Sequence, residues 1–182
     1  MPCSSDVTPQ ALNSPAVGRP AAERWKMESQ NVAIIVCPNC GALNKAPHSK
    51  LVSGPSPNCG KCHGRLFTGE PTAVASAREF DRFLSQGSLP VLVDVWAPWC
   101  RPCPAMAPMF EQAAAVLEPD IRLIKLNSDE APELSARLGI RSIPTLLLIH
   151  KGKVLARASG VMRADQIAAW ARSSLARESA NQ

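Results

Sequence analysis

The sequence predicts an α/β domain, a mixed sheet covered by helices on both faces, preceded by a small Cys-rich module. Three observations carry this. Strand-like and helix-like segments alternate from Pro71 onward. The last two strands meet at Lys151-Gly152, which is hairpin chemistry, so the sheet is not purely parallel. Four of the seven cysteines crowd into residues 31–70, where large apolar residues are few. A chain of 182 residues suits one medium domain plus something small and leaves little room for two large ones.

Taken in order, residues 1–30 read as a disordered tail. Pro2, Pro9, Pro15 and Pro20 stand among small and polar residues without apolar periodicity. The tail has no apolar stretch of the secretory-signal kind. Met27, just before the patterned sequence begins, is a candidate natural start. Cys3 in the tail has no evident partner and is expected to be idle. Residues 31–70 form a separate basic module, with four basic groups against one acidic group.

Residues 71–182 hold the larger domain. A short strand over 72–75 leads to Ser76-Ala77-Arg78-Glu79, a capping box that opens a helix with Phe80, Phe83 and Leu84 at helical spacing and Gly87 as its end. Val91 to Trp96 is apolar on both faces except at Asp94, the mark of a central strand. A helix over 103–117 follows, with Met106, Met109, Phe110, Ala113, Val116 and Leu117 turned inward and a kink expected at Pro108. The next strand spans 121–126. Asp129 is the expected cap of a short helix with Pro132 in its first turn and Gly139 as its stop. Strands at 145–150 and 153–158 and a helix over 164–175 complete the domain.

Composition excludes some functions. Apolar runs fall short of the ~18 residues that a membrane helix requires, so no membrane partner is expected. The net charge is +5, but the basic groups are scattered and aromatics make up only 4%, which argues against a nucleic-acid surface. Seven cysteines, arranged as three Cys-x-x-Cys pairs plus one, do not resemble a secreted disulfide framework. They point to metal or redox chemistry in a reducing compartment.

The pair in Trp99-Cys100-Arg101-Pro102-Cys103 stands between a buried strand and a helix start. Cysteines three apart on a first helical turn can close a disulfide with little rearrangement, and the free N–H groups of that turn favour a thiolate on Cys100. Cys100 is then the attacking sulfur. Cys103, one turn on and shielded, resolves the mixed disulfide. A metal half-site is the competing reading of this pair. Asp94 sits six residues upstream in a strand with no exposed face, so desolvation should raise its pKa toward neutrality. The competing reading makes it a buried carboxylate satisfied by backbone or water.

Cys37-Pro38-Asn39-Cys40 and Cys59-Gly60-Lys61-Cys62 are two tight knuckles at metal-ligand spacing. Four thiolates make a tetrahedral Zn²⁺ site, a four-cysteine zinc ribbon with one structural ion, and the metal would replace the core that this segment lacks. Gly41 and Gly60 are expected to supply the backbone turns toward sulfur. Two redox disulfides are the alternative reading, and His48 and His63 are alternative ligands.

Trp96-Ala97-Pro98-Trp99-Cys100-Arg101-Pro102-Cys103, with Pro108, then Lys125-Leu126-Asn127, then Ile143-Pro144-Thr145, resembles the thioredoxin family over residues 71–182. With the Cys-rich segment in front, it is most similar to the zinc-binding, thioredoxin-2 type. The resemblance implies the thioredoxin fold and a monomeric cytoplasmic protein-disulfide reductase. Its partners would be disulfide-containing protein substrates and an NADPH-dependent thioredoxin reductase that restores the dithiol. It further implies that Asp94 helps deprotonate Cys103 and that Lys125 partners Asp94. Pro144 would be a cis-proline, with Ile143 offering backbone groups to an extended substrate. Gly160 would lie near the substrate groove, Trp99 would be a surface contact and Trp96 a packing wall.

Arg101 departs from the family's usual glycine. Its charge favours the Cys100 thiolate by only ~0.5 to 1 kcal/mol across solvent, roughly 10 to 20 mV for a two-electron couple, so the protein should remain a reductase. Arg101 can also bias the choice of substrate. A contrasting function, a zinc-ribbon adaptor in which the second domain only docks, has no need for both Cys100 and Cys103.

Overall fold

The structure, a computed structural model, describes residues 32–53 and 56–180. The tail at 1–30, the candidate start at Met27 and Cys3 lie outside the described residues. A two-stranded antiparallel sheet comes first, β1 (Val32–Val36) paired with β2 (Leu43–Pro47), followed by a short helix α1 (His48–Ser53). The remaining elements are β3 (Thr72–Val74), α2 (Ala77–Gln86), β4 (Val91–Trp96), α3 (Cys103–Leu117), β5 (Arg122–Asn127), α4 (Pro132–Arg137), β6 (Thr145–His150), β7 (Lys153–Ser159) and α5 (Ala164–Ala180). The larger sheet has the order β3-β5-β4-β6-β7, with β3, β5 and β4 parallel and β6 and β7 antiparallel. The expected mixed sheet is present.

Strand β4 lies in the middle and divides two apolar layers. Val91, Val93 and Val95 pack with Phe80, Phe83 and Leu134 on the α2 and α4 face. Leu92 packs with Met106, Phe110, Ile167 and Ala171 on the α3 and α5 face. Successive strand residues point to opposite faces, so Asp94 shares the face of Leu92 and lies on the side covered by α3. The register sets Lys125 of β5 directly beside Asp94. Helix α2 opens as the capping box predicts: the Glu79 amide donates to Ser76 Oγ at 3.3 Å, and Glu79 Oε2 accepts from the Ala75 amide.

Some local expectations are corrected. Val116 is 56% exposed and Ala114 takes the inward position instead, because the helical phase after Pro108 brings 110, 113, 114 and 117 to the sheet. Ala131 caps α4, whereas Asp129 turns away from that helix toward Trp99. Strand β5 runs 122–127 rather than 121–126, and α5 continues five residues past Leu175.

The Cys-rich segment has its own apolar cluster of Ala33, Ile35, Leu51, Leu66 and Phe67, and it packs against the larger sheet's elements. Val36 joins Phe83 and Val91, and Leu89 joins the Leu66 cluster. Ile34 and Ser88 bond reciprocally: the Ile34 amide donates to Ser88 Oγ and the Ser88 amide to the Ile34 carbonyl, both at 2.9 Å. The deepest contact is Arg122, 2% exposed. Its guanidinium donates to Glu118 Oε1 at 2.7 Å and to the Leu66 carbonyl at 2.6 Å, and lies 4.5 Å from the centre of the Phe67 ring. Glu118 in turn accepts from the Gly69 amide at 3.0 Å. A buried ion pair therefore holds the end of the Cys-rich segment.

Candidate functional site

Strand β4 delivers the chain to the dithiol. The Cys100 amide donates to the Ala97 carbonyl at 3.1 Å, the Cys103 amide to the Cys100 carbonyl at 3.2 Å, and α3 begins at Cys103 after Pro102. Pro102 already has helical backbone angles and fits a helix start, where its missing N–H costs nothing. Cys100 and Cys103 are joined in a disulfide with Cα atoms 5.4 Å apart, and both residues are 4% exposed. The pair is redox-active in form and stands apart from the cluster of free thiols, which removes the metal half-site reading. A helix start of this kind favours a thiolate on a cysteine placed just before it.

Asp94 is 2% exposed and its Oδ1 has no hydrogen-bond partner. Desolvation pushes its carboxyl up to about 6, with the nearby Lys125 charge pulling the other way. Lys125 also pairs with Glu111 of α3, Nζ to Oε1 3.5 Å, and lies 5.9 Å from the Trp96 ring centre. The raised pKa has a consequence for stability. The unfolded Asp94 ionises first as pH rises through about 4, whereas the folded one holds its proton until about 6. Stability is thus lost over that window and the full penalty stands above it. Asp94→Asn is expected to stabilise the protein at pH 7.5 by up to about 3 kcal/mol, and by almost nothing near pH 4. Urea midpoints of both proteins at the two pH values check this.

The loop before β6, which the Val95–Thr145 pairing places beside the C-terminal end of β4, carries a cis Ile143–Pro144 bond. It is closed from both sides. The Gly160 amide donates to the Pro144 carbonyl at 2.9 Å, Thr145 Oγ1 donates to the Ser142 carbonyl at 2.6 Å, and Thr145 Oγ1 lies 3.0 Å from Ser159 Oγ. Ile143 is half-buried and Pro144 buried. Gly160 has φ +98°, a conformation that L side chains rarely adopt. Trp99 is 68% exposed, and its indole Nε1 donates to Asp129 Oδ1 at 3.0 Å. Arg101 is exposed, with no hydrogen-bond partner among the described residues.

Sequence reasoning missed Asp129, Thr145 and Glu111. Asp129 meets Trp99 30 residues away, and Thr145 and Glu111 meet Ser159 and Lys125 14 residues away; only the Thr immediately after the proline left a trace in the motif.

The other four thiols, Cys37, Cys40, Cys59 and Cys62, come together with all Sγ atoms within 4.8 Å of one another. Cys37 and Cys62 are 3.6 Å apart, Cys40 and Cys59 3.7 Å. A tetrahedron of sulfurs about 2.3 Å from a central ion has edges of about 3.8 Å, so the four thiols fit a four-coordinate metal. The four are free, none joined in a disulfide. The sulfurs also receive N–H groups. Cys59 Sγ accepts from the Lys61 amide at 3.4 Å and Asn44 Nδ2 at 3.6 Å, and Cys62 Sγ from Asn39 Nδ2 at 3.7 Å. Such donors stabilise thiolates and orient them.

The two knuckles are built alike. The Cys37 amide donates to the Ala42 carbonyl and the Cys59 amide to the Gly64 carbonyl. The left-handed residue follows the second cysteine in both, at Gly41 (φ +68°) and His63 (φ +60°). Gly60 therefore does not supply the second turn as expected; its amide donates to Asn44 Oδ1 instead. Neither His48 nor His63 belongs to the thiol group.

Comparison with known proteins agrees with this geometry. The family model described as Thioredoxin matches residues 71–173. A curated relative, Thioredoxin C-3 of Corynebacterium nephridii, is 42% identical over 148 residues, 81% of this chain and 99% of that protein. That match is longer than residues 71–182, so it reaches into the Cys-rich segment. Thioredoxin of Haemophilus influenzae is 38% identical over 90 residues, covering 50% of this chain and 84% of the relative. Among solved structures, a thioredoxin variant from Halobacterium salinarum NRC-1 aligns with TM-score 0.54 at 29% identity, over 62% of this chain and 96% of that one. No helix among the described residues is long and apolar enough to cross a membrane. With a disulfide at the start of α3, a cis-proline before β6 and a matching family model, the chain belongs to the thioredoxin family of thiol-disulfide oxidoreductases.

Proposed function

We propose that this protein reduces disulfides of cytoplasmic proteins through Cys100 and Cys103 and is returned to the dithiol by an NADPH-dependent thioredoxin reductase. The observation that carries the reading is the Cys100–Cys103 pair at the first turn of α3, on the sheet face that also holds the unpartnered carboxylate of Asp94. The Cys100 thiolate attacks one sulfur of the substrate disulfide, forming a mixed disulfide and expelling the other sulfur as thiolate. Asp94 accepts the Cys103 proton. The Cys103 thiolate then attacks Cys100 Sγ, which closes the intramolecular disulfide and releases the substrate dithiol. Lys125 adjusts the charge on Asp94. Ile143 presents backbone groups to an extended substrate segment, Pro144 and Gly160 shape the groove, and Trp99 and Arg101 border it.

Residues 31–70 form, in this reading, a zinc ribbon docked on a redox domain of 71–182. Cys37, Cys40, Cys59 and Cys62 would hold one Zn²⁺, whose role is to cross-link a segment with a small core. The thiol-rich donor set and the tetrahedral spacing support zinc.

An insulin-reduction assay tests the main reading. Wild type should turn over with NADPH and a thioredoxin reductase, and Cys100→Ser should not. Cys103→Ser should accumulate a mixed disulfide through Cys100, visible by mass spectrometry as a covalent adduct that dithiothreitol releases. Failure of the reduced wild type to cleave insulin would sink the reading. Asp94→Asn should slow resolution of the wild-type mixed disulfide most strongly near pH 6 to 7, where thiols ordinarily keep their protons.

A further inference from the structure

Behind the Ile143–Pro144 loop lies an open pocket of about 540 Å³, lined by Gly139, Arg141, Ser142, Thr145, Arg157 and Ser159. Its position is fixed by the site already described. Ser142 and Thr145 bracket the cis bond, and Ser159 precedes the Gly160 whose amide holds the Pro144 carbonyl. The lining contains two guanidinium groups, three hydroxyls and no carboxylate.

The two arginines differ in how they are held. Arg157 donates to the Gly139 carbonyl at 3.0 Å and the Leu138 carbonyl at 2.6 Å, so its charge is fixed against the wall and balanced only by neutral groups. Arg141 is exposed and has no hydrogen-bond or ion-pair partner among the described residues. Two like charges beside one pocket, neither compensated by an acidic side chain of the pocket, produce a positive potential there. Arg141, free to move, can form a charge-assisted hydrogen bond with an entering anion. The hydroxyl protons are already used within the lining, Thr145 donating to the Ser142 carbonyl, Ser159 to Thr145 and Ser142 to Ser159, so the guanidinium is the donor that selects the anion.

We propose that this pocket is a specificity subsite for an Asp or Glu side chain of the protein substrate, near its disulfide in sequence. The proposal rests on the reductase reading, in which an extended substrate segment pairs at Ile143. Side chains of such a segment alternate in direction, so every second one near the paired residue turns toward the loop and its pocket. A substrate side chain is favoured over a free anion because Arg141 and Ser142 of the lining belong to the same loop as Ile143, Thr145 opens the strand that follows it, and the volume exceeds the needs of one small ion.

The test uses two disulfide-bridged peptides that differ only in Glu against Gln at positions flanking one cysteine. Their reduction by the full-length reduced protein is followed at low and at physiological ionic strength. Exposed charge pairs are worth up to about 1 kcal/mol, so wild type should prefer the Glu peptide by about three- to five-fold in kcat/KM, mainly through KM. The preference should shrink with added salt. Arg141→Gln should bring the ratio close to one, and Arg141→Lys should restore part of it. Lys151→Gln, an exposed charge at the far end of β6, should leave the preference in place. Equal reduction of both peptides by wild type would overturn the subsite while leaving the reductase reading intact, and so would a ratio that survives Arg141→Gln or collapses in Lys151→Gln. Failure to reduce either peptide would instead strike the reductase reading itself.

Discussion

Cys59→Ser is expected to release the metal and unfold the Cys-rich segment while the dithiol still reacts with disulfides. On the zinc-ribbon reading the segment would depend on its metal, because its cluster of Ala33, Ile35, Leu51, Leu66 and Phe67 is small and its sheet has two strands, too few to stand alone in water. Structural zinc sites of this kind contribute about 10 to 16 kcal/mol at neutral pH, more than a whole domain's usual net stability. Cys59 is the informative choice, being buried and receiving two N–H groups at its sulfur. The expected results are one metal equivalent in wild type and none in the variant, with backbone amides of β1 and β2 losing exchange protection. A chelator should reproduce these effects, and unchanged protection without metal would contradict them. Acid should release the metal as well, since the ligand form of each cysteine is the thiolate.

The second large effect is at Arg122. Arg122→Ala should destabilise the protein by about 3 to 5 kcal/mol, because it leaves Glu118 buried without its counter-charge. It also strips the Leu66 carbonyl of a donor and removes the cation from the Phe67 ring. The double variant Glu118→Leu/Arg122→Met should recover much of the loss, since no charge is then stranded, but not all of it. The Gly69 amide and the Leu66 carbonyl would still lack partners. Urea unfolding of the two single variants and the double variant measures the coupling. If the double variant were the least stable of the three, the buried pair would not be the source of the effect. Limited proteolysis adds a local readout, because cleavage around Leu66 to Gly69 should accelerate in Arg122→Ala.

How far these contacts were legible in sequence depended on range. Elements 72–180 could be read because apolar period, caps and turn residues are local signals, as at Ser76 with Glu79 and at Lys151-Gly152. The dithiol and the cluster of four thiols were legible for the same reason: each pair sits inside a four-residue motif. Arg122 was not, since a lone arginine at a strand start looks solvated until Leu66 and Phe67 arrive from 55 or more residues away. Asp129 misled because a polar residue before Pro132 resembles a cap, whereas the Trp99 indole claimed its carboxylate. His63 taking the left-handed turn in place of Gly60 shows a related limit. The knuckle's hydrogen bonds fix which residue must turn, and glycine is only one residue able to occupy that position.

The contacts that dock the Cys-rich segment also impose an order on biosynthesis. Its four thiols are complete once Cys62 has been made, but the groups that receive it come much later: Ser88 is 54 residues after Ile34, Glu118 49 after Gly69 and Arg122 56 after Leu66. At about 5 to 20 residues per second, the ribosome takes roughly 3 to 12 s to travel from Cys62 to Arg122. During that interval the four thiols are present but the buried Glu118–Arg122 pair that receives Leu66 and Gly69 is not. On the zinc-ribbon reading, metal capture would therefore precede assembly of the sheet, and a chain made in metal-poor surroundings would present Arg122 and Glu118 with nothing ordered to bind.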